Sequence, residues 1–190
     1  NIVESFNSAG NPTTTTTEVA IEDASRSDWG AFAEGDLPLA GDRLMLTAGL
    51  RGDHVSTQNT GGYYGDLSTS DGALSGFATL TWTFAAEWKA SAQYSSGFRD
   101  PTLSDRYFRG VSGRGFVIGN PDLVAETSNQ WDLSVRGRTG PVSLGLSGYL
   151  YRIDDLIERY RVGDNFEFRN RAEGEIKGIE LEADVRVAPR

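Results

Sequence analysis

The chain has no cysteine, one histidine (His54) and one methionine in 190 residues. Without cysteine there can be no disulfide, thiolate zinc site or thiol nucleophile. One histidine rules out a histidine-rich metal centre and weakens any serine–histidine catalytic pair. No run of about 18 apolar residues occurs, so no segment reads as a membrane-crossing helix. A β-barrel stays open, because strands cross lipid with alternating apolar residues. Positive charge is also short. Against 27 Asp and Glu stand 18 Lys and Arg, a net charge of −9, which disfavours a general nucleic-acid or anionic-membrane binder. The start, Asn1-Ile2-Val3-Glu4, lacks an initiator methionine and a signal-peptide pattern, so a mature chain or an excised piece is expected.

Glycine is plentiful at 23 residues, well above the usual share of about 7%, and aromatics make up 11% of the chain. This combination points toward β structure. Residues 1–25 read as a loop or flexible lead-in, with turn chemistry at Asn7–Pro12 and a threonine run at 13–17. From residue 26 onward the hydrophobic period is two. Strands are expected near 27–36, 43–51, 73–84, 87–98, 130–137, 142–150 and 178–187. In the last of these, Ile179, Leu181, Ala183, Val185 and Val187 share one face, while Glu180, Glu182, Asp184 and Arg186 share the other. A slip of one residue would exchange the two faces completely.

The connections alternate short and long. Short ones lie at Pro38–Gly41, Ala85–Ala86 and Arg138–Pro141, and long ones at 54–72, 99–125 and 155–173, the last with room for a hairpin. The expected fold is therefore all-β, with antiparallel up-and-down strands forming part of a transmembrane β-barrel. Its short turns would lie on the periplasmic rim and its long loops on the extracellular rim. The competing fold is a soluble, secreted antiparallel β-sandwich serving as an adhesion or binding module. Against it stand the long strands, the aromatics Trp82, Phe84 and Trp88 around one short turn, and full charges on the polar face. Seven strands is an odd count for a single-chain bacterial barrel, so a segment of a larger barrel is expected.

Residues 96–107, Ser-Gly-Phe-Arg-Asp-Pro-Thr-Leu-Ser-Asp-Arg-Tyr, lead to Gly119-Asn120-Pro121-Asp122-Leu123-Val124-Ala125-Glu126-Thr127-Ser128. Here the chain resembles TonB-dependent outer-membrane receptors, which commonly pair a Gly-Phe-Arg-Ala-Pro-Thr-Leu strand end with a later Gly-Asn-Pro-Asp-Leu-x-x-Glu-Thr-Ser. Leu44–His54 is similar to the family's Leu-Thr-x-Gly-Leu-Arg-Tyr-Asp strand. Asn170–Glu173 with Gly178–Glu182 is similar to its Asn…Gly-hydrophobic-Glu strand. These motifs run in family order over residues 26–187. The resemblance implies that 26–190 is a partial receptor barrel, part of about 22 strands around a plug domain. It implies an outer-membrane location and outer-membrane lipid as neighbour. It also implies active uptake of a scarce nutrient, a ferric siderophore complex first among the options. Energy would come from the TonB complex through a plug outside this chain. Asp100 stands where the family usually has Ala, and Gly52 where Tyr is common. Haem receptors of the family often place a histidine between the two motifs, whereas residues 102–119 contain none. His54 reads as a solvated loop residue, so haem is the less favoured cargo.

No catalytic constellation, metal site or resident cofactor is expected, and the chain does not read as an enzyme. Asp154, Asp155 and Glu158 lack the spacing of a calcium loop. The candidate ligand-binding residues are Arg99, Arg106, Tyr107, Arg109 and Arg114, with Phe108 and Phe116 interleaved. Arginine forks suit the carboxylate, catecholate or phosphate groups of an anionic iron chelate, and aromatic rings cover its flat parts. The competing reading is that these arginines pair with acids and only order a long loop.

Overall fold

Strict alternation produces one large sheet, with a two-stranded hairpin before it, in the computed structural model, which describes residues 2–17, 19–41, 43–113 and 115–187. The strands are β1 (Ile2–Phe6), β2 (Pro12–Thr17), β3 (Ala24–Leu39), β4 (Leu44–Gly61), β5 (Gly65–Ala85) and β6 (Trp88–Arg99). After a single helical turn, α1 (Leu103–Tyr107), come β7 (Arg109–Ser112), β8 (Gly115–Ile118), β9 (Glu126–Thr139), β10 (Val142–Val162) and β11 (Asn165–Val185). The large sheet has the order β3-β4-β5-β6-β9-β10-β11-β8-β7. Its seven long strands follow chain order and pair antiparallel, and β8 joins the tip of β11 in parallel. No second sheet is stacked on it among the described residues. The β-sandwich alternative is thereby overturned.

The register explains why one face is apolar. Leu37 lies opposite Leu46, Leu46 opposite Leu80, Leu80 opposite Ala92, and Ala92 opposite Leu133. The row continues through Gly148 to Ile179. The next row joins Leu44, Trp82, Ala90, Val135, Leu146 and Leu181. None of these residues is buried and most are exposed, Ile179 at 81% and Leu181 at 76%, the inside-out arrangement of a lipid-facing band. Near the short turn after β5, Trp82, Phe84 and Trp88 line up with centroids 5.4 and 6.4 Å apart, as an interfacial aromatic belt does. The opposite face carries Ser91, Ser134, Ser147 and Glu180 in one row, and Lys89, Arg136 and Glu182 in the next. Arg136 and Glu182 approach to 3.5 Å there. Both faces of β11 thus follow the expected alternation.

Strand length departs from the sequence reading. β5, β10 and β11 each run for 21 residues. At about 3.3 Å per residue that is roughly 70 Å, against an apolar band about 25 Å tall. The segments 54–72 and 155–173, read as long loops, are ladders that carry β4–β5 and β10–β11 well past the band. Their turns occupy only 62–64 and 163–164. In water neither face needs to be apolar, so alternation fades while backbone pairing continues. His54 accordingly sits within β4 rather than in a loop. It pairs with Trp29 and Gly72 on the apolar side of the sheet. The lead-in is also corrected: β1 and β2 form a separate hairpin closed by the Asn7–Asn11 turn, where a loop was expected.

Candidate functional site

The buried residues gather at the long-loop rim, where segment 100–125 folds onto the polar face of the extended ladders. Val55, Thr57, Asn59, Asp100, Asp105, Arg106, Tyr107, Val117, Leu123 and Glu126 all lie there. The loop begins and ends at one ladder pair, Arg99 opposite Glu126. The Arg99 fork donates Nε and Nη2 to the two Glu126 oxygens, both at 2.7 Å, and Nη1 to Asp105 at 3.1 Å. Glu126 also accepts the Ile157 N–H at 2.6 Å, which ties β10 to the same carboxylate. Hydrogen bonding from Arg99 holds Glu126 below the ordinary carboxylate range, although burial opposes it. The same carboxylate pushes the Arg99 guanidinium still higher. The two motifs of the sequence are thus the two ends of one clamp.

Pro101 cannot donate to a ladder, so β6 stops there and the chain turns into α1. Thr102 caps α1, accepting the Asp105 N–H at 3.1 Å, while Asp105 accepts the Thr102 N–H at 2.9 Å. The helix places Arg106 and Tyr107 inward. Arg106 is 2% exposed and donates to the Pro121 carbonyl at 2.7 Å and to Asp71 at 3.1 Å. Its Nη2 lies 3.7 Å from Asp100, whose other oxygen takes a 3.0 Å bond from Arg26. Burial raises Asp100 above the ordinary carboxylate range despite these two cations. This charge cluster is centred on Asp100, and it pins the loop to β3 and β5 at once. Arg106 Nε and Asp100 Oδ1 are buried without a hydrogen-bond partner within the described residues.

Tyr107, 1% exposed, packs its ring 5.9 Å from Tyr64. The Tyr64 hydroxyl donates to the Phe108 and Gly119 carbonyls at 3.1 and 2.9 Å, and burial pushes it up to about 12. Gly119 has no room for a side chain: a Cβ would stand 2.6 Å from the Arg106 carbonyl. Asn120 donates to the Phe168 carbonyl at 3.1 Å, and Asn170 exchanges bonds with Val124 N–H and C=O, both at 3.0 Å.

The five arginine and tyrosine candidates therefore occupy different settings. Arg99 and Arg106 are engaged by acids, and Tyr107 is buried beneath the loop. Arg114 lies outside the described residues. Arg109 is exposed. Its guanidinium stands 4.3 Å over the Tyr63 ring and 5.1 Å from Phe116. Its backbone N–H donates to Ala20 of the lead-in at 2.8 Å. The loop reading missed Arg26, Tyr63, Tyr64 and Asp71, which reach this rim from β3 and the β4–β5 hairpin. Their only trace in the sequence is the Tyr63-Tyr64 pair in an otherwise small, polar stretch.

Comparison with known proteins places this geometry. Residues 3–187 match the family model described as TonB dependent receptor-like, beta-barrel. Over 194 aligned residues the chain is 26% identical to the Heme/hemopexin utilization protein C of Haemophilus influenzae (strain 86-028NP), covering 86% of this chain and 26% of that protein. The solved Copper transporter OprC superimposes with a TM-score of 0.72 at 24% identity, covering 87% of this chain and 27% of its own. The Serratia marcescens hemophore receptor HasR, solved as a double mutant with its hemophore and heme, also reaches 0.72, at 15% identity, with 84% and 32% covered. The chain spans about a quarter to a third of these proteins' lengths. It belongs to the β-barrel domain of the TonB-dependent receptor family.

Proposed function

We propose that the chain is part of an outer-membrane receptor that takes up a scarce nutrient, with a ferric siderophore complex as the cargo. The anionic complex meets Arg109 on the extracellular rim, with Arg114 further along the same loop sequence, while Arg99, Arg106 and Tyr107 hold the loop in shape. The observation that supports this most is the exposed Arg109 guanidinium, flanked by Tyr63 and Phe116 on a loop clamped at both ends. Such a guanidinium is oriented by the rings and keeps its fork free for carboxylate or phenolate oxygens. Energy for import reaches the barrel from the TonB complex through a plug domain, and lipid covers the apolar face.

The similarity to a Heme/hemopexin utilization protein C makes haem the second reading. His54 is the chain's one imidazole, and it lies on the apolar side of β4, with its Nε2 3.3 Å from Ser56 and Ser70. It is therefore turned away from the polar face on which the loop sits, and this favours the siderophore.

The test uses the full-length receptor in a strain lacking its own iron receptors. Uptake of radioactive iron from siderophore complexes should depend on both the receptor and TonB, and Arg109→Gln should lower affinity about tenfold with unchanged surface display. Uptake from haem alone, or siderophore affinity untouched by the substitution, would refute the assignment.

A further inference from the structure

Residues 19–22 of the lead-in cross the tip of the β4–β5 hairpin and leave a cavity of about 170 Å³, lined by Glu22, Asn59, Tyr63, Tyr64, Tyr107 and Arg109 among others. That is room for several waters or one small organic group. Three tyrosine rings wall it in edge contact, Tyr63 to Tyr64 at 5.0 Å and Tyr64 to Tyr107 at 5.9 Å. The Asn59 amide nitrogen is already engaged, donating to the Gly61 and Gly65 carbonyls at 2.8 and 2.7 Å.

Two opposite charges share this lining without neutralising each other. Among the described residues Arg109 has no carboxylate within 4.0 Å, and Glu22 has no cation. A purely anionic group entering here meets Arg109 but is repelled by Glu22, and a purely cationic group meets the reverse. Both side chains are exposed, and a group carrying both charges pairs with the two of them together without meeting repulsion from either.

We propose that the cavity is a binding subsite for a dipolar group, an α-ammonium with its α-carboxylate, as at the amino-acid end of a ligand. The carboxylate accepts from the Arg109 fork, the ammonium donates to Glu22, and an attached side chain lies against the tyrosine rings. This deepens the uptake reading and rests on it for the identity of the rim as a ligand-facing surface.

The test measures binding of L-phenylalanine, 3-phenylpropionate and phenethylamine to the detergent-solubilised full-length receptor. The second probe lacks the amine and the third lacks the carboxylate. Phenylalanine should bind at least tenfold more tightly than either. Glu22→Gln should bring phenylalanine down to the level of 3-phenylpropionate, and Arg109→Gln down to that of phenethylamine. Equal binding of phenylalanine and 3-phenylpropionate to the parent receptor overturns the proposal, as does a preference that survives Glu22→Gln. Loss of receptor-dependent iron uptake with phenylalanine selectivity intact would defeat the uptake reading and leave the subsite standing. Intact uptake without selectivity would defeat the subsite alone.

Discussion

The band of the sheet and the capped rim above it are built on opposite rules. In the band, large apolar side chains point outward and are exposed, and hardly any side chain there is buried. At the rim, a small polar core has formed around two arginines and four acids, with Arg106 and Asp100 buried and Arg99 and Asp71 half-exposed at its edge beside Asp105 and Glu126. The band takes its specificity from register, because every residue repeats the choice of face. The rim takes its specificity from a few pairings, each of which occurs once. Damage in the band should therefore be graded by depth and face, whereas damage at the rim should fall on single residues.

The largest effect is expected at Arg106. Arg106→Met leaves Asp71 and the Pro121 carbonyl without their donor and strips one cation from buried Asp100. Breaking a buried pair in this way costs about 3–5 kcal/mol. In the full-length receptor, loop 100–125 should become sensitive to protease and its amides should exchange rapidly, with β9–β10 protection unchanged. Continued protection of the loop would mean that the Arg99 clamp alone holds it.

Leu181→Arg tests the band. Leu181 lies opposite Leu146 in the lipid-facing row, and arginine there should cost about 2–4 kcal/mol if the row is near the midplane. Glu182→Arg, one residue along on the polar face, should cost far less. Refolding the receptor into lipid vesicles under a denaturant titration gives both numbers, and equal costs would reverse the assignment of faces.

The contrast also sets what the sequence could show. The seven long strands and both faces of β11 were legible because lipid demands apolar residues at every second position. The ladders at 54–72 and 155–173 were not, since strands surrounded by water have no apolar face to reveal them. The pairing of Arg99 with Glu126 was half legible. Both residues belong to recognisable motifs, but only the ladder shows that they close one loop. Arg106 was recognised as a rim arginine, yet its partner Asp71 lies 35 positions away in a stretch read as loop, where nothing local marks it. The lead-in hairpin was missed because Thr13–Thr17 is low in complexity and lacks alternation.

A smaller effect is expected from acidification, through Glu126. Its folded value lies below that of an unfolded glutamate, about 4.3, chiefly because Arg99 donates to it. Its contribution is therefore complete above that pH and is lost as pH falls through the lower folded value. Asp100 works in the opposite sense. Burial raises it, so its stabilising contribution is present in acid and lost as pH rises through its folded value. Hydrogen exchange of the loop amides, followed from pH 6 to pH 3 in the parent and in Glu126→Gln, isolates the Glu126 step, because Asp100 contributes to both alike: relative to the variant, the parent should lose protection at the acid end. Glu126→Gln should remove that acid step while lowering loop stability at neutral pH by about 2 kcal/mol, the scale of a lost charged hydrogen bond.

The smallest expected effect is at the cap of α1. Thr102 accepts the Asp105 N–H, and Asp105 returns the bond to the Thr102 N–H while also receiving Arg99. Thr102→Ala removes one of these bonds and leaves the Arg99 contact in place, so about 1 kcal/mol should be lost. A helix of five residues has little stability of its own, and the loss should be confined to opening of the turn that carries Arg106 and Tyr107. Thr102→Ser keeps the acceptor oxygen and should restore most of it. Exchange rates of the Asp105 and Arg106 amides provide the measurement. A change that also spreads to β9 amides would show that the cap and the Arg99 clamp form one cooperative unit, and that the rim does not divide into separate single-residue pairings.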